Sequence, residues 1–143
     1  MSNAGFGSFR SGVQAADYDL LVASIKVALV RGYTFDPTHQ FVSDVVAAGG
    51  VLNGTSAALT NPTLSNGVFD ADDTTLTAAA SASNHGLLVF QSSAVTGGAD
   101  VAQNLQRVIS YLDTGTGLPI QPGAGPVNIT WAAGASKIHA ITT

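Results

Sequence analysis

The groups with acid–base or metal chemistry in this chain are nine carboxylates and three imidazoles; every carboxylate is an Asp, and neither Glu nor Cys occurs. A thiolate nucleophile, a thiolate metal site and a disulfide framework are therefore closed to it. Asp70, Asp72 and Asp73 crowd one segment, and carboxylates that close have the donor type calcium takes. The EF-hand spacing is missing, with no Gly at the sixth position and no Glu at the twelfth. The expectation is a solvated turn whose Asp side chains bond the local backbone rather than an ion. Asp113-Thr114-Gly115 follows an apolar run in the manner of a nucleophilic Asp loop. That chemistry needs two carboxylates sharing a proton, and too little chain follows for a second loop. We expect a strand end and a turn.

His39, His85 and His139 are widely separated, with no His-x-x-x-His pair to chelate a metal. A metal site formed at a trimer axis by one His from each of three subunits is the conceivable arrangement, and it is not the expected one. Ser is abundant, but no Gly-x-Ser-x-Gly elbow is present. The Gly115/Gly117 and Gly123/Gly125 pairs lie between expected strands, not before a helix, so they make no phosphate loop. These residues predict no catalytic site, no metal and no cofactor.

The elements that would have to position any site are those of a single small β domain. The 143 residues suit one domain with a real core. Apolar residues make up 45% and charged residues only 10%, with a net charge of −4. That balance excludes a basic nucleic-acid footprint and argues against disorder. Leu20 to Val30 is the longest apolar stretch; it is broken by Ser24 and Lys26 and is far short of a membrane span. Residues 1–16 lack the pattern of a secretory signal. A surface rich in Gly, Ser, Thr and Ala, with few long charged side chains, suits burial against copies of itself or a larger scaffold.

Along the chain, residues 1–12 read as an extended arm carrying Phe6, Phe9 and Arg10. Such an arm is ordered only where something supplies a groove. Residues 13–143 read as one β-rich domain. Val13 to Tyr18 reads as a short helical turn and Ile25 to Val30 as a strand. Asp36-Pro37 predicts a helix start, with Asp36 as N-cap and Phe41, Val42, Val45 and Val46 on one face, ending at Gly49-Gly50 after two to three turns. Asn53-Gly54 and Asn66-Gly67 signal tight turns. Thr74 to Thr77, Gly86 to Phe90, Leu105 to Leu112, Val127 to Trp131 and Lys137 to Ile141 read as strands. The last two are expected to form a hairpin through residues 132–136. Gly86 to Phe90 is continuously apolar and so should be buried on both faces. Seven to nine short strands and one short helix predict a β-sandwich or jelly-roll-like barrel.

Several blocks in order resemble a family of small structural proteins of tailed bacteriophages. They are Ile25-Lys26-Val27-Ala28-Leu29-Val30, then Thr38-His39-Gln40-Phe41-Val42-Ser43-Asp44-Val45. Next come Phe69-Asp70-Ala71-Asp72-Asp73-Thr74-Thr75-Leu76-Thr77 and Gly86-Leu87-Leu88-Val89-Phe90-Gln91. Ile109-Ser110-Tyr111-Leu112-Asp113-Thr114-Gly115 and Val127-Asn128-Ile129-Thr130-Trp131 with Lys137-Ile138 complete the set. The likeness covers residues 20–141; Ser92 to Gln106 departs from it by lacking a tight hairpin. The resemblance implies a non-enzymatic virion protein on the capsid surface, a decoration (cement) protein. Its partners would be the major capsid protein and copies of itself in a homotrimer, with neither nucleic acid nor membrane. Phe6, Phe9, Arg10 and the loops 92–104 and 114–125 are the expected contacts. A tail or fibre-base component is the alternative. A carbohydrate-binding β-sandwich, with Tyr33 and Tyr111 as its platform, is a more distant one.

Overall fold

The computed structural model describes residues 4–6, 19–115, 117–131 and 139–140. Among them the chain is mainly β, with ten strands and one short helix. The strands are β1 (Ala4–Gly5), β2 (Ser24–Arg31), β3 (Val51–Thr55), β4 (Thr63–Ser65), β5 (Val68–Asp70), β6 (Thr74–Ala78), β7 (His85–Ser93), β8 (Arg107–Leu112), β9 (Gly125–Ile129) and β10 (His139–Ala140). The helix, α1, is Val42–Ala47. One antiparallel sheet has the order β1-β8-β7-β2-β3, a second has β10-β5-β4, and β6 pairs with β9. The sheets share one apolar core but do not close into a barrel, so the sandwich half of the expectation describes the fold.

Strands β2 and β7 form the centre because they are the most continuously apolar, and β7 is buried along its whole length. Their long pairing, from Ser24 opposite Ser93 to Arg31 opposite His85, sets the register of everything else. Phe69, Leu76, Ala78 and Ile129 bring β5, β6 and β9 into the same core. The helix α1 buries Val42 and Val45 in it too, and Val45 and Val30 close on Gly50 so tightly that a Cβ there would lie 2.8 Å from Val45 Cγ1.

The helix differs from the sequence reading. It begins at Val42 rather than after Pro37, and it has six residues. The Asp44 carboxylate accepts the N–H groups of Gln40 and Phe41, so the helix start is capped from inside its first turn. Asp36 instead closes a local turn by accepting from the Thr38 N–H and hydroxyl. Val46, expected on the buried face, is exposed. Asn53-Gly54 lies inside β3 and is no turn. Asn66-Gly67 does turn the chain between β4 and β5, with both residues at positive φ. The last strand pairs with β5, not β9: His139 stands opposite Phe69. The expected hairpin loop 132–136 and the helical turn 13–18 lie outside the described residues.

Candidate functional site

Of the three arm residues nominated for contact, Phe9 and Arg10 lie outside the described residues. Phe6 lies inside, and the groove it fills belongs to its own chain. Strand β1 extends the edge of the five-stranded sheet, with Ala4 opposite Tyr111 and Gly5 opposite Ser110. The Phe6 N–H continues the ladder to the Ile109 carbonyl at 3.1 Å. The Phe6 ring is fully buried and tilts onto Phe35, with centroids 4.9 Å apart. Aromatic pairs at that separation add about 1 kcal/mol beyond the area they bury.

The dock for this strand is a set of aromatic residues placed by two elements. Tyr33 and Phe35 come from the segment leaving β2, and Tyr111 from β8. Tyr33 and Tyr111 meet edge to face at 5.1 Å. Gly86 on β7 makes room for the Tyr111 ring: a Cβ at Gly86 would lie 2.5 Å from it. His39 stands over Tyr33, its Nδ1 2.9 Å from the phenol oxygen, and the Asp36 N–H donates to that same oxygen at 3.2 Å. Nε2 of His39 is 3.7 Å from Asp36 Oδ2. With Nδ1 at the phenol, the other ring nitrogen of His39 faces the Asp36 carboxylate. Burial pushes the Tyr33 hydroxyl above its ordinary pKa, and burial together with nearby Asp113 does the same to Tyr111. A raised phenol pKa opposes the phenolate that base or nucleophile chemistry would need. The Tyr33–His39–Asp36 array folds residues 33–39 onto themselves, while the Tyr33–Tyr111 contact and the Val108 N–H to Gln40 carbonyl bond hold the segment to β8.

The other sequence candidates are also engaged in structure. Among the carboxylates, Asp72 accepts from Thr60 and from Asn61 Nδ2 at 2.6 Å, and Asp73 accepts the Trp131 N–H. The Asp72 carbonyl takes the Trp131 ring N–H, so these groups pin Trp131 to the 71–73 turn. No cluster of three metal-ligating side chains occurs among the described residues. His85 is fully buried. Its Nδ1 lies 2.8 Å from the Ser83 carbonyl and its Nε2 3.2 Å from Asn53 Nδ2, which fixes it as the Nδ1-protonated ring. With both nitrogens occupied, it is withheld from any shared three-His site.

The two nominated loops behave differently. In 114–125 the chain is tied down by reciprocal His85–Ile120 backbone bonds, and Leu118 and Ile120 lean on the core. The segment after β7 instead holds Val95 out at 62% exposure, beside Leu21 and Val22 at 47% and 52%. Three bonds fix this neighbourhood: Ser24 Oγ donates to the Val95 carbonyl, the Gly97 N–H donates to Ser24 Oγ, and the Thr96 hydroxyl donates to the Val22 carbonyl. Further along the segment, Lys26 meets Asp100 at 2.8 Å, and that contact holds the Asp100 carboxyl below its ordinary pKa. Sequence reading named this loop but missed Leu21 and Val22, because an apolar pair at the entry to a strand looks like core.

No helix among the described residues is long and apolar enough to cross a membrane. Neither a known protein family, nor a characterised protein, nor a solved structure matches the chain.

Proposed function

We propose that this protein is a structural subunit of a tailed-phage particle, a decoration protein that seats on the mature shell at capsomer junctions. Its partners are the major capsid protein and further copies of itself, in a trimer. The observation that carries the reading is the patch of Leu21, Val22 and Val95, an exposed apolar surface held by hydrogen bonds before any partner arrives. Ordered apolar surface of this kind marks a contact face. The bonds that hold it are all within the chain, so a partner need not supply them. The scarcity of charge works the same way, since few ions must shed water at each contact. Binding only the expanded shell would stabilise that state by mass action against the pressure of packaged DNA. The ordered resemblance of residues 20–141 to phage structural proteins supplies the particle.

Tyr33 and Tyr111 are 8% and 5% exposed. Neither offers the flat aromatic platform that the carbohydrate-binding alternative requires. The tail or fibre-base alternative shares the same contact logic and differs in number. Gel quantitation of purified particles separates the two: a copy number comparable to the shell protein is expected. A far smaller number moves the protein to the tail, and its absence from particles ends both readings.

A further inference from the structure

The β1 dock has a property that follows from how little of the chain it holds. Ala4–Phe6 is seated by a two-residue ladder, one further backbone bond and one buried ring. It is a peg. Its backbone pairs with β8 and its ring meets Phe35, and another copy's Ala4–Phe6 would make the same contacts. Residues 7–18 connect the peg to the body and include Gly7, Ser8, Ser11 and Gly12. Fully extended at roughly 3.3 Å per residue they reach about 40 Å. Strand β2, which they lead to, lies three strand spacings from β1 across β8 and β7, about 14 Å. Fully extended, the connection is more than twice that span.

We propose that this dock is an exchange site, filled in the assembled state by Ala4–Phe6 of a second copy of the chain. The inference rests on the reading of the protein as an assembling subunit and names how its copies would be joined. Exchange changes no contact, so its free energy is set by proximity. In dilute solution the tethered peg wins, because a connection of only twelve residues keeps it at an effective concentration of the order of millimolar. Copies crowded at a junction compete on equal terms, and exchange within a closed ring leaves no dock empty.

Register supplies the test. Because Phe6 and Ile109 form a hydrogen-bonded pair, the alternation of an antiparallel ladder makes Gly5 and Ser110 a non-hydrogen-bonded pair, with Cα atoms about 4.5 Å apart. That is within disulfide range. The chain has no cysteine of its own, and Ser110 Oγ is buried without a hydrogen-bond partner, so Ser110→Cys sacrifices no bond. A tagged Gly5→Cys chain is mixed with an untagged Ser110→Cys chain under mild oxidation. We expect a mixed disulfide dimer whose yield rises with concentration. Adding Phe6→Ala to the Gly5→Cys chain should lower that yield at least tenfold, since random collision would not need the ring. Absence of the mixed dimer at every concentration, while the double variant Gly5→Cys/Ser110→Cys closes on itself, overturns the proposal. So does a yield indifferent to Phe6→Ala. Should Ser110→Cys fail to fold, a photo-crosslinking residue at position 5 in a mixture of heavy- and light-isotope chains gives the same answer. Cross-links between heavy and light chains support exchange, and cross-links confined to single chains reject it. Either failure leaves the copy number on particles untouched, so the two readings fall separately.

Discussion

Burial governs the chemistry of Tyr33 and Tyr111. Each hydroxyl sits above its ordinary pKa, chiefly because the phenolate would have to shed water inside the aromatic cluster. A group whose folded pKa is raised adds stability that is fully present below the unfolded value, near 10, and is lost as pH rises through the folded value. The fold should therefore weaken on the alkaline side. An ultraviolet absorbance titration should show two of the three tyrosines ionising later than a free phenol. Tyr111→Phe should make the alkaline loss of stability shallower. Three tyrosines titrating together at the ordinary value would remove the burial argument.

At the scale of elements, the junction between β3 and β6 decides how the small sheets sit on the large one. Asn53 lends its amide to both sides: Nδ2 donates to the Ala79 carbonyl, and Oδ1 accepts the Ala79 N–H, each at 2.9 Å. The same Nδ2 reaches His85 on β7. One residue beyond, Gly54 has φ +93°, and a Cβ there would lie 2.3 Å from the Thr77 carbonyl oxygen. Asn53→Ala should cost about 1–3 kcal/mol, because it leaves a buried imidazole nitrogen without its donor. Gly54→Ala should cost about 3 kcal/mol by forcing β6 off β3. Gly97→Ala is the control: its φ is +70° but nothing lies within 4 Å. Left-handed strain alone costs about 1–2 kcal/mol. Urea denaturation of the three variants separates close approach from backbone strain. Equal losses at Gly54 and Gly97 would show that the sheets do not meet as described.

Across the whole molecule, the core and the proposed contact surface are distinct sets of residues. Leu21 and Val95 contribute little to the core, so the pair Leu21→Ser/Val95→Ser should leave the denaturation midpoint unchanged within about 0.5 kcal/mol. The same pair should sharply reduce the number of copies retained on purified particles. A large loss of stability would place these side chains in the core. Full retention on particles would move the contact face elsewhere. The Ser92–Gln106 departure from the phage resemblance is where the proposed surface is made: in place of a tight hairpin, the chain leaves Val95 and Leu105 exposed and bonds the start of α1 through the Gln103 and Gln106 carbonyls.

Much of the fold was legible in residue order alone, because strands advertise themselves through local pattern. The unbroken apolar run at Gly86 to Phe90 required burial on both faces, and β7 has it. The alternation of Thr74 to Thr77 required a half-buried strand, and β6 is one. Asn66-Gly67 required a turn, since both residues tolerate positive φ. Partners were not legible. Asn53-Gly54 carries the same turn signal, yet lies inside a strand because Ala79 and Thr77 occupy the space around it. The Asp36 cap lost to Asp44, whose carboxylate reaches two backbone amides at the actual helix start. Phe6 read as an anchor without a groove, and its groove is assembled from Phe35 and from β8, about a hundred residues further along the chain. Local pattern fixes whether a segment extends, turns or buries a face. Which segment it meets depends on contacts distant in sequence, and those exist only once the sheets have formed.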